Sequence, residues 1–555
     1  MKIAIAQTDP VVGAFAANVQ NILIAYERAC QQQARLLLTP ELGICGYPPH
    51  DLSDRPEMVE RCDTVVAQLM AATQGQKCAL AIGHIIRTPG ATGRAVQNAA
   101  SILENGKLVF QQCKSLLPTY DVFDEARYFE PATDIKLWNC DGIPVGVAIC
   151  EDLWSEDDSH GRRLYRRNLP AEFAAAGAQL VLSLSASPYQ WGKRERRERL
   201  HSEVAARLGT PLVYVNQVAA TDEILFDGGS FAVDAQGKLI GRLPYFSTAF
   251  GVVEIDGKEG KFVYPSPAER EDTAPADIEI LSRALVRGIG DYFRATGFKT
   301  AILGLSGGID SAVVATLAAK ALGSANILGV AMPSQHSSGH SLEDAEALAR
   351  NLGIRYEVRP IKFLCSTFAR ELSEGRGELA PLALENLQAR MRANVLLTLS
   401  NHLSALVLTT GNKSEMATGY CTMYGDMAGA IAPIGDVLKT RVYELARYLN
   451  QAWGNRIPER SISKAPSAEL RPGQMDQDNL PPYPELDAFL GDYIEKSFPL
   501  AEIKKKYGAY PWLPEILRKI ELSEFKRKQA APVLITSSKA FGIGRRIPIA
   551  RVWEI

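Results

Sequence analysis

The chain has 555 residues, of which 46% are hydrophobic and 22% charged, a balance typical of a globular protein with roughly two to four domains. The formal net charge of −2 argues against nucleic acid or an anionic membrane as a partner. No apolar run reaches the length of about 18 residues that a membrane-spanning helix needs, and the start MKIAIAQTDP lacks the features of a signal peptide. Nine cysteines without a CxxC pair indicate a reduced, cytoplasmic protein.

The first half of the chain, residues 1–261, alternates short apolar runs with helical patterns, which predicts a layered α/β domain. The runs lie at residues 2–6, 79–82, 145–149, 180–184 and 212–215. Residues 262–277 contain three prolines and little apolar periodicity, so we interpret them as a linker.

The second half, residues 278–555, begins with a predicted helix at 278–296, followed by a strand at 300–305 and a helix at 311–322. Further strands are predicted at 327–332 and 405–410, which favours a Rossmann-like parallel α/β domain. The polar, proline-rich stretch 464–484 is typical of a mobile loop over a site.

The loop between the strand at 300–305 and the helix at 311–322 has the sequence SGGIDS and favours a phosphate ligand. Gly307 and Gly308 allow the backbone to approach a ligand, and the N–H groups of the helix start attract an anion. Ser306 and Ser311 supply hydroxyl donors. Asp310 would repel a bare phosphate, so its presence predicts a bridging cation, Mg²⁺. The alternative is an ordinary strand-to-helix turn with a Ser or Asp cap.

This loop lacks the GxxxxGK[ST] pattern of a Walker A motif and resembles the SGGxDS loop of the ATP pyrophosphatases. Those enzymes split ATP between its α and β phosphates, leave AMP on a substrate oxygen and release pyrophosphate. The resemblance implies that eight consecutive residues bind ATP: Gly304, Leu305, Ser306, Gly307, Gly308, Ile309, Asp310 and Ser311.

An activated carboxylate needs a nucleophile, and the first half of the chain offers a source of one. Glu41 follows an apolar strand, Lys114 precedes a proline turn, and Cys150 ends the apolar run 145–149. A thiol nucleophile requires a base and a fixed positive charge near its developing oxyanion. Taken singly, such a cysteine is usually a core residue, such a lysine a surface charge and such a glutamate a turn residue.

Taken together and in this order, the three residues resemble the Glu–Lys–Cys triad of the nitrilase (carbon–nitrogen hydrolase) superfamily, which implies an α-β-β-α sandwich over most of residues 1–260. By this resemblance Cys150 attacks an amide, Glu41 is the base and Lys114 stabilises the oxyanion. Glu125 stands where many members carry a second acid. The residues implied to bind glutamine are Tyr120, Ser187 and Lys193.

An amidase that frees ammonia, joined to a domain that adenylates a carboxylate, makes an amide-forming synthetase fed by glutamine. The whole chain resembles the glutamine-dependent NAD⁺ synthetase family. The implied reaction amidates deamido-NAD⁺ to NAD⁺ through an adenylated intermediate, consumes ATP and L-glutamine, and releases AMP, pyrophosphate and glutamate. The resemblance also implies Mg²⁺ as a cofactor and a homo-oligomer, with neither nucleic acid nor membrane as a partner.

The same resemblance assigns further residues in the second half. The chain departs from the family pattern at His336, where an aromatic residue is expected, and at Met423, where some ammonia-only relatives carry lysine. Asp310 and Glu415 are implied to hold Mg²⁺. The implied ATP contacts beyond the loop are Thr410, Lys439 and Ser467, and the implied deamido-NAD⁺ contacts are Asn386, Arg390, Glu415 and Lys526.

Three alternatives remain at this point. A synthetase that makes GMP or asparagine shares the ATP chemistry, but it uses a different glutaminase module and lacks the stretch 408–426. A regulatory protein with an inactive pyrophosphatase fold predicts the loss of Asp310 or Cys150, and both are present. A nitrilase with an appended nucleotide sensor predicts that no pyrophosphate is released.

Overall fold

The protein is described here by a computed structural model that covers residues 1–90, 92–155, 162–271, 274–375 and 377–552. The chain divides into two compact units, Met1–Ala276 and Asp277–Ile555. Within the described residues, every helix is too short or too polar to cross a membrane.

The first unit alternates strands and helices along the chain. Its strands are β1 (Lys2–Gln7), β2 (Leu36–Leu38), β3 (Ala79–Arg87), β4 (Val96–Glu104), β5 (Lys107–Cys113), β6 (Leu137–Cys140), β7 (Ile143–Ile149), β8 (Leu180–Ser185), β9 (Leu212–Asn216), β10 (Val218–Thr221), β11 (Ile224–Asp227), β12 (Phe231–Val233), β13 (Leu239–Arg242), β14 (Ala249–Asp256) and β15 (Glu259–Val263). Its α-helices are α1 (Phe15–Gln31), α2 (Pro56–Ala72), α3 (Glu125–Tyr128), α4 (Leu169–Ala175) and α5 (Lys193–Leu208).

Two sheets pack face to face in this unit. One has the strand order β15-β14-β1-β2-β3-β4-β5 and the other β13-β12-β9-β8-β7-β6, with parallel pairing in β1-β2-β3 and in β7-β8-β9. Helices α1 and α2 contact the first sheet, while α4 and α5 pack with the second. This α-β-β-α layering confirms the predicted fold class.

The core between the two sheets follows from the alternation of side chains along each strand. In β1, Ile3 and Ile5 point into a cluster that also contains Val147 and Leu182 of the second sheet. Both isoleucines are fully buried. Because the strands β7, β8 and β9 run parallel, their carboxyl ends, and the loops that follow them, lie at one edge of the sandwich.

The second unit is built on a four-stranded parallel sheet with the order β18-β17-β16-β19. Its strands are β16 (Ala301–Gly304), β17 (Ile327–Ala331), β18 (Arg355–Val358) and β19 (Leu406–Val407). Its α-helices are α6 (Asp277–Thr296), α7 (Ile309–Leu322), α8 (Gly339–Leu352), α9 (Lys362–Ser373), α10 (Pro381–Leu403), α11 (Lys413–Thr418), α12 (Lys439–Trp453), α13 (Glu459–Ser463), α14 (Tyr483–Leu490), α15 (Leu500–Tyr507), α16 (Leu513–Leu522) and α17 (Glu524–Arg527). The Rossmann-like parallel arrangement is confirmed.

Several element boundaries differ from the predicted ones. The strand predicted at 405–410 is only Leu406–Val407, because Thr409 N donates instead to Ile431 O at 3.0 Å and the chain leaves the sheet. The helix of the phosphate loop begins at Ile309 rather than at residue 311. In the region interpreted as a linker, β15 continues to Val263, and α6 begins at Asp277.

Candidate active sites

Glu41 and Lys114 come from distant parts of the first unit and form a buried ion pair. Lys114 Nζ lies 2.7 Å from Glu41 Oε1, and each residue is 1% exposed. Cys150, which is 4% exposed, lies close enough that both charges act on the pKa of its thiol. The structure therefore brings the three residues of the predicted triad together.

Glu125 is a fourth charged member of this cluster. Its Oε1 accepts hydrogen bonds from Lys114 Nζ at 2.8 Å and from the Tyr47 hydroxyl at 2.7 Å. Burial favours the neutral amine, but the carboxylates of Glu125 and Glu41 outweigh this effect and raise the pKa of Lys114 well above its usual value. Burial raises the pKa of Glu125 to about 7, with Lys114 opposing the shift. Lys114 is thus a fixed positive charge.

The carboxylate of Glu41 is held on both oxygens. Oε1 accepts from the side-chain amide of Asn98 at 2.7 Å as well as from Lys114. Oε2 accepts from the backbone N–H of Ala186 at 2.9 Å. These contacts fix the direction of the carboxylate, as a positioned base requires.

Cys150 stands at a sharp turn between β7 and a short 3₁₀ helix, Cys150–Leu153, with a φ of +44° that side chains rarely adopt. Burial and the neighbouring Glu41 raise the pKa of the thiol, while Lys114 opposes them. The resting thiol is therefore protonated, and it needs a base to become a nucleophile.

Asp152 ties this turn to the segment that carries Lys114. One carboxylate oxygen accepts the backbone N–H groups of Ser115 and Leu116, both at 2.9 Å, and the other accepts Ile149 N at 3.0 Å. The side chain is 2% exposed. Asp152 thus fixes the segment that carries Lys114 against the turn that carries Cys150.

The three residues predicted to bind glutamine lie around this cluster. The Tyr120 hydroxyl donates to Glu151 Oε1 at 3.0 Å. The buried Ser187 is the second residue after the carboxyl end of β8. Lys193 Nζ donates to the Pro188 carbonyl at 3.1 Å. Burial lowers the pKa of Lys193 to about 8, and Arg197 contributes to the shift.

The phosphate loop of the second unit has the geometry that its glycines predicted. Gly307 has a φ of +73°, and a Cβ added there would lie 2.3 Å from the carbonyl oxygen of Ser341. The hydroxyls of Ser306 and Ser311 are 3.1 Å apart, and Ser311 Oγ donates to Gly308 O at 3.0 Å. The loop leads directly into the 14-residue helix α7, whose N-terminus favours an anion.

A cavity of about 330 Å³ opens beside this loop. All but one of the eight loop residues line it; Gly307 instead accepts a hydrogen bond from Ser461 on its carbonyl at 3.0 Å. The stretch 464–470 also forms part of the wall. The residues predicted to bind ATP that line this cavity are Gly304, Leu305, Ser306, Gly308, Ile309, Asp310, Ser311, Thr410, Lys439 and Ser467.

The charged wall of the cavity contains two carboxylates that share one lysine. Lys439 Nζ forms ion pairs with Asp310 Oδ2 and, at 3.4 Å, with Glu415 Oε1. Burial raises the pKa of Glu415 to about 8, with Lys439 opposing the shift. Asn412 joins the carboxylates: its Oδ1 caps α11 by accepting Glu415 N at 3.1 Å, and its Nδ2 donates to Asp310 Oδ1 at 3.1 Å.

This pair of carboxylates fits a hard cation such as Mg²⁺, which binds through one or two protein carboxylates together with substrate phosphates and water. In the described part of the chain, no cluster of three or more His, Cys, Asp or Glu side chains is arranged to hold a metal ion. A cation at Asp310 and Glu415 would therefore take its remaining ligands from a substrate.

The remaining residues predicted to bind deamido-NAD⁺ are not part of the cavity wall. Instead they gather on the neighbouring segment 419–423, of which residues 420 and 421 do line the cavity. Asn386 accepts from the Thr422 hydroxyl at 2.8 Å, Arg390 Nε donates to Met423 O at 3.2 Å, and Lys526 Nζ donates to Gly419 O at 2.7 Å and to Cys421 O at 2.9 Å.

Sequence reasoning missed residues that hold these sites without carrying the motifs. Asn98 and Asp152 are buried polar residues whose partners are distant in sequence, and nothing local marks them. Asn412 was detectable, because the sequence Asn-Lys-Ser-Glu at 412–415 is a helix-start signal that places an acid at the third helical position.

Comparison with known proteins identifies both units. Residues 2–262 match the family model "Carbon-nitrogen hydrolase", and residues 281–530 match the model "NAD synthase". Along its full length the chain is 44% identical to the glutamine-dependent NAD(+) synthetase of Synechocystis sp., covering 99% of that protein. It is 38% identical to the enzyme of the same name from Thermotoga maritima, with 99% and 98% of the two chains covered.

A solved structure with the same architecture is that of a glutamine-dependent NAD⁺ synthetase from Acinetobacter baumannii in complex with ADP. It is 35% identical to this chain, with a TM-score of 0.77 over 99% of this chain and 98% of that one.

Proposed function

The chain belongs to the glutamine-dependent NAD⁺ synthetase family, and we propose that its two units divide the reaction of that family between them. The first unit hydrolyses glutamine and frees ammonia. The second adenylates the nicotinate carboxylate of deamido-NAD⁺ with ATP and lets ammonia displace AMP, which gives NAD⁺. One observation carries the proposal: a single chain holds both a buried Glu41–Lys114–Cys150 cluster and a phosphate loop that opens on a cavity.

In the first unit Glu41 takes the proton of the Cys150 thiol as sulfur attacks the amide carbon of glutamine. The carbonyl oxygen becomes an oxyanion, which the ammonium of Lys114 stabilises. The proton passes to the departing nitrogen and the C–N bond breaks. Ammonia is released, and the glutamyl group remains bound to the sulfur of Cys150 as a thioester. Water, deprotonated by Glu41, then attacks the thioester and releases glutamate, and the proton returns to sulfur.

The position of Lys114 between Glu41 and Glu125 suits this role. A lysine buried without a carboxylate partner would lose its proton, whereas each carboxylate beside it favours the ammonium form. With two carboxylates within 2.8 Å, its ammonium is retained through the whole cycle. Glu125 is therefore proposed to keep Lys114 charged and in place, while Glu41 handles the proton.

In the second unit the carboxylate of deamido-NAD⁺ attacks the α-phosphorus of ATP, and the bond to the pyrophosphate oxygen breaks. The phosphate loop supplies backbone N–H groups and the hydroxyls of Ser306 and Ser311 to the phosphates. Asp310 and Glu415 would hold Mg²⁺, which offsets the charge of the departing pyrophosphate when bound. Ammonia then attacks the carbonyl carbon of the adenylate, and AMP leaves.

The contacts of each substrate are proposed from the same positions. Tyr120, Ser187 and Lys193 hold glutamine. ATP binds against the loop and against Thr410, Lys439 and Ser467, and the relative from A. baumannii, solved in complex with ADP, supports an adenine nucleotide as a ligand of this chain. Deamido-NAD⁺ binds against Glu415 and the segment 419–423, whose shape depends on Asn386, Arg390 and Lys526.

A homo-oligomer and a cytoplasmic location complete the proposal. All nine cysteines are free thiols, as a reducing compartment predicts.

Helices α9 and α10 expose apolar side chains that a second copy of the chain would cover. Exchange of Phe363, which is 78% exposed, for glutamate is expected to shift the mass measured by light scattering toward the monomer; an unchanged mass would place the interface elsewhere. The exposed apolar side chains of α9 and α10 are Phe363, Leu364, Phe368, Leu372, Leu382, Leu384, Leu397 and Leu403.

The decisive test follows NAD⁺ and AMP formed from deamido-NAD⁺ and ATP–Mg²⁺, with glutamine or ammonium as nitrogen donor. Cys150→Ala removes the nucleophile and is expected to lower the glutamine-dependent rate by about 10³-fold or more. The ammonium-dependent rate should stay within about twofold of the wild type, because ammonium bypasses the first unit.

Cys140→Ala is the matched control, since Cys140 is a fully buried cysteine of the same unit that packs in the core between the sheets. It should leave the ratio of the two donor activities unchanged. If the wild type makes no NAD⁺ with either donor, the substrate assignment is wrong. If Cys150→Ala still uses glutamine, Cys150 is not the nucleophile.

A further inference from the structure

Asn216 is a fully buried residue whose side chain clamps the peptide backbone of Ser187. It ends strand β9, and its Oδ1 accepts Ser187 N at 2.8 Å, while its Nδ2 donates to Ser187 O at 3.2 Å. An amide side chain that bonds both the N–H and the C=O of one residue fixes its position and its orientation. The backbone of Ser187 is therefore set by Asn216.

The clamped segment also reaches the proposed base. The residue before Ser187 is Ala186, whose N–H donates to Glu41 Oε2 at 2.9 Å. A shift of Ser187 would turn this N–H away from the carboxylate of Glu41. The side chain of Asn216 thus acts on two groups of the site, one proposed to hold glutamine and the other to move its proton.

The amide nitrogen of Asn216 that donates to Ser187 O also contacts Gly228 O, at 3.1 Å, and a buried ion pair. This nitrogen donates to Asp227 Oδ1 at 3.1 Å, and Asp227 forms two hydrogen bonds with Arg197, at 2.9 and 2.7 Å. Arg197 is 1% exposed and Asp227 is 2% exposed. Arg197 lies four residues after Lys193 in α5, so both side chains leave the same face of the helix. The chain of contacts therefore runs from Ser187 to the helix that carries Lys193.

A fully buried ion pair is weak evidence for stability, because the loss of hydration offsets its attraction and apolar residues of similar size often stabilise as well. The role of the Arg197–Asp227 pair is better explained by its geometry. Two forks of fixed shape, the guanidinium of Arg197 and the carboxylate of Asp227, meet in one orientation only. They hold α5 at a set distance from the Ser187 segment.

We infer that Asn216, Asp227 and Arg197 are positioning residues for glutamine: together they set the spacing between Ser187 and Lys193 and the direction of the Glu41 carboxylate. This inference rests on the proposed function, since it assigns these residues to the glutamine site. All three lie in the first unit, and within the described residues their side-chain hydrogen bonds go to Ser187, Gly228 and one another.

The test measures kcat and KM for glutamine, and separately for ammonium, in variants of Asn216. Asn216→Ala releases the clamp, and a misplacement of about 1 Å at a reacting site costs up to about 100-fold. We expect kcat/KM for glutamine to fall about 10- to 100-fold, with the larger part in KM, because Ser187 and Lys193 contact the substrate before any bond changes. The ammonium-dependent kcat/KM should stay within about twofold.

An exchange variant separates positioning from a general structural role and also serves if Asn216→Ala fails to fold. Asn216→Asp alone sets two carboxylates 3.1 Å apart and should be at least as damaging as Asn216→Ala. In the double variant Asn216→Asp/Asp227→Asn, the amide introduced at position 227 can donate to the carboxylate at position 216, so the repulsion between two carboxylates is removed and net charge is kept. The donation to Ser187 O is not restored, so the double variant should have a glutamine kcat/KM about tenfold above that of Asn216→Asp and still below that of the wild type.

Asn450→Ala is the matched control, because Asn450 brackets both the N–H and the C=O of Ile457 at 2.9 Å in the second unit. It should change the two donor activities equally. The inference is overturned if variants of Asn216 leave glutamine KM unchanged, if they lower both donor activities in parallel, or if the double variant is no better than Asn216→Asp. Cys150→Ala in the same assay reports separately on the proposed function: if that variant still uses glutamine, the proposed function fails whatever Asn216 does.

Discussion

The reactive groups of the first unit are bonded to one another, whereas those of the second unit surround an open space. Glu41 and Lys114 are 2.7 Å apart and almost fully buried, with the thiol of Cys150 beside them. In the second unit the phosphate loop and Thr410, Glu415, Lys439 and Ser467 line a cavity of about 330 Å³. The first site is a buried cluster of charged groups, whereas the second has room for part of a nucleotide.

The two sites also differ in how their charged groups are arranged. In the first unit a lysine between two carboxylates serves a reaction in which one small oxyanion forms and disappears. In the second unit Asp310 and Glu415 share the single amine of Lys439, and burial raises the pKa of Glu415 to about 8, so a bound cation would favour the ionised form of Glu415. That arrangement favours a cation between the wall and its proposed phosphate ligands.

The largest effect expected with both nitrogen donors is that of Asp310→Asn, which keeps the shape of the side chain and removes its charge. We expect NAD⁺ formation to fall about 10²- to 10³-fold with glutamine and with ammonium alike, because the loss lies in the step that both donors share. Steady-state rates of NAD⁺ formation with each donor measure this loss. Cys150→Ala should instead lower the rate with glutamine alone.

Asp492→Asn is the control for that change. Asp492 is a buried carboxylate of the same unit that pairs with Lys496 and Lys506 and lies outside the cavity wall. It should leave both donor activities within about twofold. A loss confined to glutamine in Asp310→Asn would contradict the assignment of Asp310 to the adenylation step.

A smaller effect is expected at Gly307. In Gly307→Ala the new Cβ would meet the Ser341 carbonyl oxygen at 2.3 Å, and the φ of +73° would be strained as well. We expect the KM for ATP to rise about tenfold with either donor and the free energy of unfolding to fall by about 1–3 kcal/mol. ATP titrations and thermal unfolding measure the two quantities.

Gly353→Ala separates strain from collision. Gly353 ends helix α8 with a φ of +67°, and a Cβ there would meet no atom within 4 Å. This variant should lose about 1 kcal/mol of stability and keep the KM for ATP of the wild type. Equal changes in ATP affinity in the two variants would show that the close approach at Gly307 has no bearing on nucleotide binding.

The smallest expected effect is a pH dependence of glutamine use. The pKa of Lys193 is lowered to about 8, so its ammonium is present below that pH and is lost above it. If this charge holds glutamine, kcat/KM for glutamine should fall about tenfold from about pH 7 to about pH 9. In Lys193→Arg the charge persists, and this fall should disappear. The same fall in both proteins would assign the titration to another group.

The sequence predicts best those parts of the molecule that are local or contiguous. Alternating apolar residues in β1 indicate a strand, and the SGGIDS loop between a strand and a helix indicates a phosphate site, because each depends on neighbours along the chain. The meeting of Glu41, Lys114 and Cys150 could be expected only through resemblance, since their separation in sequence carries no geometry.

What the sequence could not indicate depends on contacts between distant segments. Asn98 and Asn216 are ordinary polar residues until the fold sets them against Glu41 and Ser187. The predicted strand at 405–410 is shortened because residue 431, far along the chain, takes the hydrogen bond of Thr409. In the same way Asn386, Arg390 and Lys526 contact the segment 419–423 and do not line the cavity themselves, which no local pattern reveals.

Asn412 shows what it means for one side chain to satisfy several geometric conditions at once. It starts helix α11, accepts the N–H of Glu415, and donates to the carboxylate of Asp310. Asn412→Asp would keep the cap but place another carboxylate beside Asp310, and Asn412→Ser would keep the cap but has a shorter side chain that cannot reach Asp310 as the amide nitrogen does. In a scan of all substitutions, this position should tolerate fewer residue types than an ordinary helix cap, because the start of α11 and the spacing of the two carboxylates depend on the same side chain.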